Sequence, residues 1–295
     1  MLLLVDLDGV VYRGAEPVPG VAAVLAARAA AGDEVVYVTN NSTWYRADYV
    51  ARLAAMGAPV HPDRIVSSAR ATALYLARLD PPVRRALVVG APGLARELND
   101  AGIAVVTAAE AAGRMAREEI GALAAADNPD AVVVGLDQQL TYAALVAASE
   151  AVRLGVPRGL RFVATNQDPV LPVERGLLPG AGAIVAAVAT AAGVEPLSIG
   201  KPEPLLLEEA ARSVGRRAAE AVMIGDGLAT DLAAAKRVGA RCVFMLTGVT
   251  RAAQLEALAP AERPDAVAAD AAELAQALER LAAEEGRAVH AAGPG

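Results

Sequence analysis

The 295-residue chain has few of the side chains that many enzymes depend on: one cysteine, Cys242, and two histidines, His61 and His290. A single cysteine cannot form an intrachain disulfide or a thiolate zinc cluster, so we expect a protein of the reducing cytoplasm. There are only two histidines, and His290 lies in a Gly-, Ala- and Pro-rich tail, which disfavours a Ser-His-Asp hydrolase and a multi-histidine metal site. Polar chemistry therefore falls to carboxylates, hydroxyls, lysines and the backbone.

Basic charge is also scarce, with 27 Lys and Arg against 34 Asp and Glu and a net charge of −7. Nucleic-acid binding needs clustered Lys and Arg, so we expect no nucleic-acid partner. Residues 177–194 carry no charge, but Pro179, Gly180 and many alanines make the run weakly hydrophobic. It predicts a buried helix rather than a membrane span. We expect no targeting segment, because Asp6 and Asp8 directly follow the apolar start.

Short, continuously apolar runs alternate with Ala- and Leu-rich helical stretches, which is typical of an α/β protein with a Rossmann-like parallel sheet. Nine strands are more than one ordinary sheet carries, so we expect two α/β domains. The predicted strands are 2–5, 35–39, 86–90, 103–106, 131–135, 161–165, 197–200, 222–225 and 241–246. Pro-rich breaks at 79–82 and 168–182 indicate the domain seams, and 286–295 is predicted to be a flexible tail.

Two carboxylates, Asp6 and Asp8, follow the first predicted strand. On an extended backbone, side chains two residues apart point the same way. The carboxyl ends of strands in open parallel sheets are where ligands bind. Two close carboxylates cannot both ionise freely, which suits one as an anion and the other as an acid. The alternative is an ordinary strand that ends in an Asp-rich turn.

Four polar residues, Thr39-Asn40-Asn41-Ser42, follow the second predicted strand. A hydroxyl and amide protons at that position can hold an anionic oxygen, helped by the N-terminus of the next helix. The alternative is a helix cap formed by Ser42 or Thr43, and the two interpretations are compatible.

A lone lysine, Lys201, stands between a short predicted strand and two prolines, Pro202 and Pro204. The restricted backbone of the prolines would direct its ammonium group to one place. The alternative is a lysine that simply faces solvent.

A further strand end carries Gly225-Asp226 and, five residues on, Asp231. Two carboxylates at such a position suit a hard cation such as Mg²⁺, which prefers oxygen ligands and phosphate partners. Alternatively, Asp231 only interacts favourably with a helix dipole.

Together these motifs resemble the haloacid dehalogenase-like phosphohydrolase superfamily, whose motifs are Asp-x-Asp-Gly, a strand ending in Thr or Ser, a lysine, and Gly-Asp-x-x-x-x-Asp. All four occur here in order, as Asp6-Leu7-Asp8-Gly9, Thr39, Lys201 and Gly225-Asp226…Asp231. The long interval between Thr39 and Lys201 resembles the class II arrangement, in which an α/β cap is inserted there. Further stretches resemble its p-nitrophenylphosphatase, phosphoglycolate phosphatase and pyridoxal phosphatase-like branch: Val89-Gly90…Gly93-Leu94…Glu97-Leu98, Val134-Gly135-Leu136-Asp137, Ala164-Thr165-Asn166-Gln167-Asp168-Pro169 and Gly176-Leu177-Leu178-Pro179-Gly180-Ala181-Gly182.

The resemblance covers residues 1 to about 280 and implies a domain plan. A discontinuous catalytic core would comprise 1–78 and 178–285, and a class II cap would comprise 79–177. Caps of this branch often pair, so we expect a homodimer formed through the cap.

The resemblance also implies a mechanism for hydrolysing phosphomonoesters. Asp6 would be the nucleophile that forms an aspartyl-phosphate, and Asp8 the general acid and base. Mg²⁺ would be held by Asp6, the backbone carbonyl of Asp8 and Asp226, with Asp231 in support. Thr39, the Asn40 backbone and Lys201 would bind the phosphoryl oxygens.

Several neighbouring residues keep open roles. Asn166 and Asp168 resemble a segment at the cap–core junction, so they are candidates for substrate contact or for the hinge, as is Asn41. Trp44 and Tyr45 stand where the family more often has polar or basic residues, and they could line a pocket for an apolar leaving group. The alternative is that Tyr45, Tyr49 and Leu53, which stand at helical spacing, pack into the core.

A phosphomutase on the same fold would share these core residues, and a non-catalytic phosphate-binding α/β protein is the alternative from another class. We expect a small phosphorylated metabolite as the substrate and no membrane partner. The sequence does not single out one phosphomonoester.

Overall fold

The computed structural model describes residues 1–115, 129–173 and 176–291. The chain divides into two compact units: Met1–Val38 with Val50–Ile65 and Ala210–Gly295, and Thr39–Tyr49 with Val66–Glu209. Parallel strands alternate with helices in both, so the predicted α/β class is confirmed. Each of the nine predicted strands is present, with ends displaced by at most two residues.

The strands are β1 (Leu2–Asp6), β2 (Tyr12–Arg13), β3 (Glu16–Pro17), β4 (Glu34–Thr39), β5 (Ile65–Ser67), β6 (Arg85–Val89), β7 (Ala104–Thr107), β8 (Ala131–Val134), β9 (Arg161–Ala164), β10 (Val170–Val173), β11 (Gly176–Pro179), β12 (Leu197–Ser198), β13 (Ala221–Gly225), β14 (Arg241–Met245) and β15 (Ala266–Ala268). The α-helices within the described ranges are α1 (Val21–Ala30), α2 (Arg46–Ala55), α3 (Ser68–Arg78), α4 (Pro92–Asp100), α5 (Ala108–Met115), α6 (Tyr142–Gly155), α7 (Ala181–Ala192), α8 (Leu205–Arg212), α9 (Ala233–Val238), α10 (Ala252–Glu256) and α11 (Ala271–Ala291).

The sheet of the first unit has the strand order β15-β14-β13-β1-β4-β5. β1 pairs in parallel with β13 on one side and β4 on the other, with Val5 opposite Ile224 and Tyr37. All five residues of β1 and of β13 are buried, as expected for parallel strands covered on both faces. Helix α11 packs against β14, β15 and α1.

The second unit has its own parallel sheet, in the order β12-β9-β8-β6-β7. Val132, Val134 and Phe162 from this sheet form an apolar core with Ala148 and Val188 from the helices. Helix α6 contacts α5 and α7, and α3 contacts α4.

The predicted buried helix over 177–194 is wrong in its first residues. Residues 176–179 form strand β11, which pairs antiparallel with β10 and leaves Leu177 and Leu178 exposed by 66% and 43%. Helix α7 begins only at Ala181, after the Pro179-Gly180 break, and its buried face includes Val185 and Val188. No helix in the described ranges is long and apolar enough to cross a membrane.

Helix α11 continues to Ala291, so the first six residues of the predicted tail over 286–295 are helical, and the flexibility of the tail stays a prediction. Alanine and arginine are good helix formers, so residues 286–291 extend the helix rather than ending it. Residues 292–295 lie outside the described ranges. The predicted core and cap boundaries stay a prediction; the second unit is longer than the predicted cap, since it starts with 39–49 and runs from Val66 to Glu209.

Candidate active site

Three carboxylates meet at the carboxyl ends of β1 and β13 in the first unit. The two strands are adjacent and parallel, so Asp6 at the end of β1 and Asp226 just after β13 emerge at the same edge. Asp231 reaches them from the single π-helical turn Leu228–Leu232. One carboxylate oxygen from each residue lies within 4.8 Å of the other two. These three residues form the acid cluster.

The acid cluster is largely withdrawn from solvent. Asp6 and Asp231 are 7% and 2% exposed, and Asp226 is half-buried. Asp231 also accepts a hydrogen bond from the Gly227 N–H at 2.9 Å, so it caps the turn as well as belonging to the cluster. Oxygen ligands at this spacing suit a hard divalent cation, which would offset the mutual repulsion of the carboxylates.

Asp8 follows the end of β1 and is not one of the three residues of the acid cluster. β1 ends at Asp6, and the chain then turns so that the N–H groups of three successive residues, ending with Tyr12, point to the Leu7 carbonyl. Asp8 therefore lies beyond the end of β1 and is exposed; that its side chain points the same way as Asp6 stays a prediction. Burial above all, and then the Asp8 charge, raises the pKa of Tyr12, so its hydroxyl stays protonated.

A loop that the sequence reasoning missed packs against Asp226. Thr247 donates its hydroxyl to the Gly9 carbonyl at 2.5 Å, and Thr250 donates its hydroxyl to the Asp226 carbonyl at 2.8 Å. A Cβ atom at Gly9 or Gly248 would overlap the Asp226 carboxylate. The strand-end rule applied to Asp226 could have found this loop, because it follows β14, the neighbour of β13.

In the second unit, Asn40 joins the remaining predicted residues. Its side chain donates to the Lys201 carbonyl and accepts from the Lys201 N–H, both at 2.8 Å, and it also donates to the Asp168 carboxylate at 3.1 Å. Its carbonyl accepts from Asn166 at 2.8 Å and from the Ser68 hydroxyl at 2.6 Å. Asn40, Asn166, Asp168 and Lys201 form the amide cluster. Lys201 is 3% exposed, so the alternative of a solvent-facing lysine is wrong.

The residues around Asn40 have local partners. Thr39 is buried, and its hydroxyl oxygen accepts from the Asn41 N–H at 3.2 Å. Asn41 in turn accepts from the N–H and hydroxyl of Thr43 at 2.9 and 2.6 Å. Helix α2 begins only at Arg46, so the predicted cap by Ser42 or Thr43 is wrong. The Ser42 hydroxyl is buried with no hydrogen-bond partner among the described residues.

The aromatic residues after this motif divide between surface and interior. Trp44 is 37% exposed and lies with its ring centroid 5.3 Å from that of Tyr49. Tyr49 and Leu53 are buried, as predicted. Tyr45 is half-buried and donates its hydroxyl to Asp100 at 2.6 Å, so its predicted place in the core is wrong.

A buried carboxylate, Glu97 on α4, anchors this segment. It accepts from the Arg46 N–H at 3.1 Å and from the Arg46 guanidinium at 2.6 Å. Burial raises the pKa of Glu97, and the Arg46 charge opposes that shift. Glu97 was recognisable from the sequence only as part of a family-like stretch, since no local pattern reveals a partner 51 residues away.

Comparisons with known proteins agree on one family. A model described as haloacid dehalogenase-like hydrolase matches residues 3–104, and a second, HAD-hydrolase-like model matches 198–274. An acid sugar phosphatase of Staphylococcus saprophyticus is 34% identical over 253 residues, covering 86% of this chain and 89% of the relative. One of Staphylococcus aureus is 35% identical over 247 residues, covering 84% and 86%.

Solved structures give the same picture. The p-nitrophenyl phosphatase from Archaeoglobus fulgidus superposes with a TM-score of 0.80 at 30% identity, covering 94% of this chain and 98% of that one. The glycerol phosphate phosphatase from Mycobacterium tuberculosis, in complex with magnesium, superposes with a TM-score of 0.75 at 36% identity, covering 92% and 75%.

Proposed function

The chain belongs to the haloacid dehalogenase-like hydrolase family, and we propose that it is a magnesium-dependent phosphatase that hydrolyses phosphomonoesters of small metabolites. The observation that carries the proposal is the acid cluster, which places a buried Asp6 at a strand end with two further carboxylates within 4.8 Å. The similar proteins are named as phosphatases of sugars, p-nitrophenol and glycerol. Those names favour hydrolysis over the phosphomutase and the non-catalytic alternatives.

The acid cluster fits Mg²⁺ by its chemistry. All its donors are carboxylate oxygens, and Gly9 and Gly248 leave no side chain in the space beside Asp226. Asp6, Asp226 and the backbone carbonyl of Asp8 would hold the ion, with Asp231 in support. When bound, Mg²⁺ would neutralise phosphate charge that otherwise repels an anionic nucleophile. The magnesium complex of the M. tuberculosis relative supports this assignment.

Asp6 and Asp8 carry the proposed chemistry in two steps. A carboxylate oxygen of Asp6 attacks phosphorus, the bond from phosphorus to the ester oxygen breaks, and protonated Asp8 gives its proton to the leaving alcohol. Asp8, now a carboxylate, takes a proton from water as that water attacks the aspartyl-phosphate. The bond from phosphorus to Asp6 breaks, which releases phosphate and restores both residues. The exposed position of Asp8 supports a role that requires repeated proton exchange.

Thr39, the Asn40 N–H and Lys201 bind the phosphoryl oxygens in this proposal. Support comes from the burial of the Thr39 and Lys201 side chains, since a buried hydroxyl and ammonium are strong ligands for an anion. The Asn40 side chain is occupied by Lys201 and Asp168, so the contribution of Asn40 to phosphate is limited to its backbone.

Release of phosphate from p-nitrophenyl phosphate in the presence of Mg²⁺ tests the proposal. Asp6→Asn and Asp8→Asn should each abolish turnover, and mass spectrometry after an acid quench should find phosphate on Asp6 of the parent enzyme. Asp63→Asn, an exposed site of the first unit, is the matched control and should keep the parent rate. Retained turnover in Asp6→Asn would contradict the mechanism through an aspartyl-phosphate. The physiological ester, the cytoplasmic location and the homodimer through the cap stay predictions.

A further inference from the structure

We propose that the loop over residues 246–250, directly after β14, positions the Asp226 carboxylate and thereby sets the affinity of the acid cluster for Mg²⁺. The inference rests on the proposed role of Asp226 as a ligand of the ion. It adds Thr247, Gly248 and Thr250 to the residues on which the reaction depends, although none of them would touch the substrate.

Two hydroxyls attach this loop to the backbone that carries the proposed ligands. Thr250 donates to the carbonyl of Asp226 at 2.8 Å, and Thr247 donates to the carbonyl of Gly9 at 2.5 Å. Gly9 directly follows Asp8, whose carbonyl is a proposed ligand. One loop therefore holds both backbone segments from which the ion would be bound.

Gly248 limits where the Asp226 carboxylate can lie. The space that a side chain would fill at this position is occupied by Oδ2, Cγ and Cβ of Asp226. The carboxylate therefore lies directly against the loop backbone, and Gly9 approaches the same carboxylate. Because Gly9 and Gly248 have no side chains, the Asp226 carboxylate can occupy the space between them in this orientation.

Gly248 provides a sharper test than Gly9. The φ angle of Gly9 is +83°, so a side chain there would strain the backbone itself. Gly248 lies outside the left-handed region, and the atoms nearest to its new methyl would be Oδ2 and Cγ of Asp226, which can rotate away, with the Asp226 Cβ at 2.8 Å. Gly248→Ala should thus fold with the carboxylate turned away and with a small shift of the Asp226 Cβ. Groups that orient a metal ligand typically change metal affinity by about 10- to 100-fold when they are removed.

The experiment is titration calorimetry of the full chain with MgCl₂ alone, combined with urea unfolding of each variant. Gly248→Ala and Thr250→Val should weaken Mg²⁺ binding by about 10- to 100-fold. Thr250→Ser keeps the hydroxyl and should restore the parent Kd. Val249→Ala is the control within the same loop, because Val249 is 88% exposed, and it should also bind like the parent.

Parent-like Mg²⁺ binding by Gly248→Ala and Thr250→Val overturns the inference while leaving the proposed function intact. An equal loss in Val249→Ala also overturns it, because the effect is then a general disturbance of the loop. A parent protein that binds no Mg²⁺ overturns the proposed cofactor, and the inference falls with it.

Discussion

The side-chain amide of Asn40 pairs with the peptide of Lys201 through two hydrogen bonds of 2.8 Å, one donated and one accepted. The same amide nitrogen lies 3.1 Å from each carboxylate oxygen of Asp168. An asparagine side chain offers a donor and an acceptor side by side, so it holds the Lys201 backbone as a neighbouring strand would. Gly200 makes room for this pairing, since a Cβ there would lie 2.8 Å from the Asn40 oxygen.

Asn40→Asp should weaken phosphate binding without unfolding the protein. The substitution keeps the shape but replaces the donor by an oxygen that faces the Asp168 carboxylate and the Lys201 carbonyl. A hydrogen bond to a charged group is worth about 1.5–3 kcal/mol, so we expect a loss of about 10- to 100-fold in affinity for inorganic phosphate. Titration calorimetry with inorganic phosphate measures this loss of affinity. Kinetics with p-nitrophenyl phosphate show whether KM or kcat changes.

Thr141→Ala provides the matched control for stability, because Thr141 caps α6 in the same unit. Loss of a cap costs about 1 kcal/mol, and this variant should bind phosphate like the parent. If Asn40→Asp is destabilised to the same extent and yet keeps the parent Kd for phosphate, the Asn40 side chain has only a structural role.

The sequence was sufficient to predict those strands and site residues whose positions depend on neighbouring residues in the chain. Buried apolar runs predicted β1, β4 and β13, and the rule that ligands bind at strand ends then selected Asp6 and Asp226. The cluster confirms that both lie at one edge of the sheet. Their catalytic roles stay predictions, since they concern chemistry rather than placement.

The sequence was insufficient where a residue depends on a distant partner. Asn40 and Lys201 are 161 residues apart, and no periodicity encodes the match between an amide and a peptide. The common direction predicted for Asp6 and Asp8 assumed an extended strand through Asp8, but β1 ends at Asp6, a boundary that an apolar run does not define to one residue. Leu177 was predicted to be buried because it is apolar, but hydrophobicity does not state that a residue lies in a two-stranded hairpin.

Gly93→Ala should destabilise the segment that follows Thr39. A Cβ atom at Gly93 would overlap the Thr43 carbonyl and lie 2.6 Å from the Trp44 carbonyl carbon. Both are backbone atoms that cannot rotate away, so overpacking should cost about 1–3 kcal/mol in the free energy of unfolding, measured with urea. Gly113→Ala on α5 adds the same methyl in open space and should not destabilise. Equal stability of the two variants would contradict the close contact of Gly93 with the backbone of Thr43 and Trp44.

Glu97→Gln should change how stability depends on pH. Burial raises the pKa of Glu97 above its ordinary value of 4.5. Between pH 4.5 and the raised pKa, the folded state therefore binds more protons than the unfolded state. The contribution of Glu97 is therefore fully present at acidic pH and is lost as pH rises through the raised pKa. Relative to Glu97→Gln, the parent should lose stability as pH rises above about 4.5, measured by urea unfolding.

Arg46→Gln is the companion variant for that experiment, because the Arg46 charge lowers the pKa of Glu97. Its removal should raise this pKa further and enlarge the loss of stability with pH. If the difference in free energy of unfolding between the parent and Glu97→Gln does not change with pH, or increases in favour of the parent as pH rises, the raised pKa of Glu97 is refuted.

The effect of Asp226→Asn on stability should change sign when Mg²⁺ is added. Three carboxylates within 4.8 Å repel one another in a largely buried site, so without the ion the variant should have a higher Tm than the parent. Magnesium at one hundred times its Kd should stabilise the parent by about 2.7 kcal/mol, whereas the variant lacks a ligand and should gain far less. Thermal unfolding in EDTA and in MgCl₂ measures both effects, with Asp63→Asn expected to follow the parent. A variant that is less stable than the parent in EDTA would mean that the Asp226 carboxylate stabilises the fold without a metal ion.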